Sequence, residues 1–243
     1  MKTINRAITL LFSITFLALS STHTLAKSPK IIKGENLSIS VFRVDEASIK
    51  PYLYEGFEAV ADEKGEFSLF VGLGAFTDTY GVEPFQLIAM FVEVQEKGKS
   101  RASRHFLPIW GANSTKEAVK TYNQTLGLPF TNPKKLSVTV SDSGTQKASF
   151  TSKDDAKYGK ATLNVEIQKQ AGTLQNSFAQ LTLVGKVKDS IKFTKDVLGF
   201  SFVNGNFVNF DIEANAGSPL SLISKDTHIY TLVSNNHAAI LYP

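Results

Sequence analysis

The chain has 243 residues, 26 Lys+Arg against 22 Asp+Glu, four histidines and no cysteine. That length fits one large domain or two small ones. The absence of cysteine excludes disulfides, thiolate metal sites and a lipoprotein anchor, and the modest net charge of +4 gives no argument for a nucleic-acid partner.

Lys2 and Arg6 open the sequence, an apolar run from Ala7 to Leu19 follows, and Thr24-Leu25-Ala26 offers small residues before Lys27. This is the pattern of a signal peptide over 1–26. The apolar run is short for a membrane span, which needs about 20 residues. The expectation is therefore export to a periplasm or secretion, with no membrane attachment after cleavage. Removing Lys2 and Arg6 lowers the net charge to +2, so part of the basic pI belongs to the leader. Asn36, Asn113 and Asn123 each begin a glycosylation sequon, a pattern short enough to arise by chance.

Strand signals dominate the remainder. Leu37 to Val41 alternates apolar and polar residues, as a half-buried strand does. Asp45 is placed to cap a short helix ending near Pro51. Phe67 to Phe76 is apolar and broken by glycines that permit a bend or close packing. Strands are expected at Leu87–Val94 and His105–Trp110, with a charged turn containing Lys97, Lys99, Arg101 and Arg104 between them.

The strongest helix signal covers Thr115 to Leu126. Ser114 and Glu117 make a capping box, Val119, Tyr122 and Leu126 share one face, and Gly127 follows as a C-terminal cap with Pro129 beyond it. After it, Lys135 to Ser141 alternates through Leu136, Val138 and Val140. Further strands are expected at 147–151, 160–168, 179–187, 199–203, 206–213 and 228–233, with turns at Asn204-Gly205 and Gly217-Ser218-Pro219. Many strands, one good helix and regular turns indicate an α+β, mostly β domain over 27–243: an antiparallel, barrel-like sheet with a few marginal helices.

Chemistry concentrates at Pro133-Lys134-Lys135-Leu136. A lysine attacks a carbonyl only as a neutral amine. Two ammonium groups about 7 Å apart repel by about 2.4 kcal/mol at an effective dielectric of about 20. Complete burial moves an amine pKa further, by roughly 3–5. Burial therefore decides whether such a pair reacts, and adjacent lysines in a turn are ordinarily solvated. His105, His228 and His237 lack metal-ligand spacing, and no metal or other cofactor is expected. The 18 phenylalanines serve either a β core or an aromatic-lined cavity.

At these lysines the chain resembles the acetoacetate decarboxylase family, in which a helix leads into a Pro-Lys-Lys-Leu stretch and the first lysine forms a Schiff base, activated by the neighbouring cation. Val41-Phe42-Arg43-Val44-Asp45 with Glu55-Gly56-Phe57-Glu58, Asp78-Thr79 with Glu83 and Gln86, and the helix from Lys116 to Pro129 are similar to family segments. The likeness covers most of 35–170. It implies the family's fold, a homo-oligomer, and a keto acid or apolar carbonyl compound as small-molecule partner. With a four-residue insertion, Lys134 is the nucleophile, Lys135 its activator, and Glu83 a group that positions substrate or handles a proton, with Gln86 nearby. Without the insertion, Phe130 and Thr131 stand at the lysine positions. Gly72 stands where the family has an acidic residue, and Glu35 where it has an arginine.

Two functions follow. One is an exported Schiff-base lyase acting on a β-keto acid or related carbonyl compound, with Lys134 inside a cavity near Glu83. The other is a non-catalytic periplasmic or secreted small-molecule-binding protein of the same fold, with Lys134 and Lys135 outside the cavity and Phe130 and Thr131 facing in.

Overall fold

The computed structural model describes residues 30–79, 83–99, 104–153 and 160–242; the leader expected over 1–26 lies outside them. The strands are β1 (Lys30–Val44), β2 (Phe57–Ala59), β3 (Phe67–Thr79), β4 (Phe85–Glu96), β5 (His105–Asn113), β6 (Phe130–Thr131), β7 (Lys135–Val140), β8 (Thr145–Thr151), β9 (Ala161–Lys169), β10 (Gln175–Val187), β11 (Ser190–Ala214) and β12 (His228–Tyr242). Two α-helices, α1 (Glu46–Ile49) and α2 (Lys116–Leu126), and short 3-10 turns complete the described chain.

All twelve strands join one sheet in the order β10-β5-β4-β3-β1-β12-β11-β9-β8-β7, with β2 on β4 and β6 on β5. β10 also pairs with β11, so the sheet curls back on itself, while β9, β8 and β7 run on past that contact. The result is a mostly β, barrel-like sheet that is not a closed barrel. It is mixed rather than wholly antiparallel, because β5 pairs parallel with both β6 and β10.

Alternation gives the central strands two faces. On one, Leu69, Val71 and Leu73 of β3 and Ile88, Met90, Val92 and Val94 of β4 meet Val138, Ala148, Phe150, Leu163, Val165 and Ile167 of β7–β9 in a single buried core. Trp110 and Phe150 cross edge to face there at 5.3 Å. Each buried Val, Leu, Ile, Met or Phe among them contributes about 1.5–3 kcal/mol. Gln86 shares this face, and its Nε2 donates to Val138 O (3.2 Å) while its Oε1 accepts from Val138 N (3.1 Å). The carboxamide thus stands in for a neighbouring strand and ties β7 to β4.

On the other face, α2 covers Leu87, Ala89 and Phe91 with Val119, Tyr122 and Leu126, the stripe read from the sequence. Its N-cap is Thr115, not Ser114: Thr115 Oγ1 accepts from Ala118 N (3.2 Å). β5 runs to Asn113, and the Ser114 hydroxyl is turned to accept from Gln86 N (2.9 Å). At the other end Gly127 adopts the left-handed cap (φ 69). The helix end lies directly on β10, where a Cβ at Gly185 would fall 1.8 Å from Leu126 O. Asp45 precedes α1 without a side-chain capping bond.

The region after 188 departs most from expectation. Asn204-Gly205 is not a turn but lies inside the 25-residue β11. A Cβ at Gly205 would meet Val233 Cγ2 at 2.6 Å and Ile167 Cγ2 at 3.0 Å, so this glycine serves close packing. The actual turn is Lys188-Asp189, closed by the pair Val187↔Ser190, with Lys188 at φ 54.

Candidate functional site

The helix leaves part of its face of the sheet uncovered. Gly72 sits at the centre, in a cross-strand row running Ile39–Gly72–Ala89–Gly111. Phe70 and Gly74 flank it along β3. Diagonal neighbours are Leu37 and Val41 on β1 and Leu87 and Phe91 on β4. Gly72, Ile39, Leu37, Phe70, Leu87 and Phe91 all retain partial solvent exposure, as does Leu232 beside Ile39 on β12. A Cβ at Gly72 would reach only Ala89 O, at 3.9 Å, among the described residues. A glycine thus floors an apolar hollow that solvent enters.

Phe130 bounds the hollow at Gly111. A Cβ at Gly111 would fall 2.4 Å from the Phe130 ring, so the glycine is required for the ring to lie flat on β5. Asn123 of α2 fixes it, Nδ2 donating to Phe130 O (2.8 Å) and Oδ1 accepting from Phe130 N (3.1 Å). Thr131 is half-buried, and its hydroxyl donates to Gly111 O (3.2 Å). Tyr122 packs 5.9 Å from the Phe130 ring. Toward the other end of this face, Arg104 makes a two-pronged ion pair with Glu93 (2.5 and 3.1 Å) beneath the Phe70 and Phe106 rings.

The lysines stand elsewhere. Lys134 and Lys135 are both exposed, which corrects the expectation of a cavity-enclosed amine at Lys134. They open β7, the last strand in the sheet order, where Lys134 N donates to Thr151 O (3.0 Å) and the inward positions go to Leu136 and Val138. That strand packs on the opposite face of β4 from Gly72 and Phe130. Glu83 is likewise exposed, two residues before β4. Gln86, expected beside substrate, spends both ends of its carboxamide on Val138. The side chains of Asp78 and Thr79 lie outside the described set. Two sequons are also reassigned: Asn113 is wholly buried and Asn123 is engaged with Phe130.

Sequence reasoning singled out Phe130, Thr131 and Gly72 but missed Gly111, Ala89, Ile39 and Asn123. A glycine inside the apolar run before Asn113 was the available signal for a close backbone approach. A second, polar cleft of about 550 Å³ lies between the β7–β8 turn and the part of β1 after Glu35, where its pairing with β3 shifts register, and is lined by residues including Glu35, Asn36, Asp142 and Lys169. Its Ser141 and Ser143 hydroxyls bond each other at 2.7 Å. Among the described residues, no group of three or more His, Asp or Glu is placed to hold a metal ion.

No protein-family model and no curated protein matches the sequence. Solved structures do match over nearly the whole chain, and they show that this is an acetoacetate decarboxylase-like fold. Acetoacetate decarboxylase from Legionella pneumophila is 12% identical with a TM-score of 0.59, covering 93% of this chain and 89% of its own. The enduracididine biosynthesis enzyme MppR, complexed with pyruvate, is 12% identical with a TM-score of 0.55 and 90% coverage of each chain. An acetoacetate decarboxylase-like enzyme from Sphingomonas wittichii is 10% identical with a TM-score of 0.52, covering 92% of this chain and 97% of its own.

Proposed function

We propose that this chain is an exported, non-catalytic small-molecule-binding protein built on the acetoacetate decarboxylase-like fold, holding an apolar or carbonyl-bearing molecule in the hollow over Gly72. One observation carries the reading: Phe130 borders the hollow, while Lys134 and Lys135 are exposed on a strand that packs against the other face of the sheet. A Schiff-base lysine is activated by a desolvating pocket or an enclosed cationic neighbour, and neither lysine is enclosed here. The competing lyase, with Lys134 as nucleophile, Lys135 as activator and Glu83 at substrate, requires Lys134 to leave solvent. A structural neighbour captured with pyruvate supports small-molecule binding by this fold, without bearing on which class of ligand this chain takes.

Borohydride reduction in the presence of a β-keto acid, followed by mass spectrometry, tests the choice. The expected result is no adduct on any lysine. A reduced adduct on Lys134 would reject the binding reading in favour of a Schiff-base lyase. Export rests on the N-terminal pattern alone, and Edman sequencing of protein recovered from periplasm or medium is expected to begin at Lys27. Recovery only from the cytoplasm with residues 1–26 retained would remove that part of the proposal.

A further inference from the structure

We infer that the hollow over Gly72 selects uncharged apolar ligands and rejects keto-acid anions; this rests on the small-molecule reading above and narrows it to a ligand class. All eight positions surrounding Gly72 on its face are apolar. An apolar molecule gains by leaving water there. A carboxylate entering the same space loses hydration and finds no compensating cation among the described residues. The nearest described ions on this face are already paired, Glu93 with Arg104 through two bonds and Arg43, opposite Ser68 on β3, with Glu66 at 2.9 Å, and the Arg104 guanidinium lies 5.1 Å from the Phe106 ring centroid and 6.0 Å from that of Phe70.

The floor also sets where the ligand sits. Space at Gly74 is already occupied, with Leu37 Cδ1 and Phe76 Cε2 each at 3.4 Å from a Cβ built there, and space at Gly111 is taken by Phe130. Of these three glycines, only Gly72 would let a Cβ meet nothing closer than 3.9 Å. A ligand seated there contacts Ile39 and Ala89 across the strands.

The test compares 2-nonanone with 2-oxononanoate, a pair differing by a carboxylate at one end of similar chains, by isothermal titration calorimetry. The wild-type protein is expected to bind the ketone at least about tenfold more tightly. Gly72→Leu, at a position without positive φ, is expected to weaken the ketone by at least about tenfold while its unfolding temperature stays near wild type. Ile39→Lys, which adds a cation beside the floor, is expected to shift the preference toward the acid even if Gly72→Leu folds poorly. Equal or tighter binding of 2-oxononanoate by wild type would overturn the charge preference and leave the small-molecule reading standing. Ketone binding untouched in folded Gly72→Leu would overturn the location. Failure of wild type to bind either molecule would remove the small-molecule reading and this inference with it.

Discussion

The two faces of β3 and β4 are built from the same strands and are energetically opposite. One is closed by β7–β9, with Trp110 against Phe150 and Gln86 bracketing Val138. Among the described residues, the other is covered by α2 and Phe130 at one end and stays partly exposed over Gly72. The closed face supplies the area burial that holds the sheet together. The open face forgoes that burial around Gly72, and exposed apolar concavity of this kind is where small ligands bind. On the proposed function, stability and binding are separated across the thickness of a single sheet.

Substitutions sharpen or break this contrast. Phe150→Ala on the closed face is expected to cost about 3–5 kcal/mol in denaturant unfolding; a cost below about 1 kcal/mol would mean that β8 is not part of the main core. Gly111→Ala, which forces Phe130 off β5, is expected to cost about 1–3 kcal/mol. Combining it with Phe130→Ala should cost less than the sum of the two single changes, because both act on one contact.

Gln86→Leu leaves the amide and carbonyl of Val138 without their partners and is expected to cost about 1–3 kcal/mol. Hydrogen exchange at Val138 should accelerate with it, and unchanged exchange would show that β7 does not depend on this clamp. Gly72→Ala, by contrast, is expected to stay within about 0.5 kcal/mol of wild type. A cost comparable to that of Gly111→Ala would show that the hollow is filled in solution.

The closed face also carries a pH dependence. His228 packs 4.9 Å from Phe207 and 5.5 Å from Phe42, with Nε2 bonded to Thr231 Oγ1 at 2.8 Å. Burial holds its imidazole below the ordinary value of 6.5, against a weaker opposing pull from a hydrogen bond with the Tyr230 backbone. The folded state therefore favours the neutral ring. Its stabilising contribution is complete above pH 6.5 and is lost as pH falls through the lowered value. The unfolding-temperature advantage of wild type over His228→Asn should shrink on acidification, and a widening gap would contradict the burial argument.

Much of the fold could be read from local pattern. The stripe Val119, Tyr122, Leu126 and the cap at Gly127 located α2, because side-chain periodicity and a left-handed cap are local properties. The alternation of Leu136 and Val138 located β7. Asn204-Gly205 misled because the same dipeptide serves a tight turn or a close strand crossing, and only the distant Val233 and Ile167 distinguish them. Within the candidate site, Phe130, Thr131 and Gly72 drew notice through the family resemblance. Gly111 and Asn123 did not, since each acts through a partner, Phe130, that lies 19 residues away along the chain from one and seven from the other.

The sequence by itself determined that this chain is mostly β with one well-capped helix, because periodicity and turn chemistry act over a few residues. It also placed two lysines at the head of a strand. Tertiary structure decided that those lysines are exposed and that the Gly72 floor, on the other face of the sheet, stays partly open. Desolvation depends on what other strands bring over a side chain, and residues distant in sequence control that.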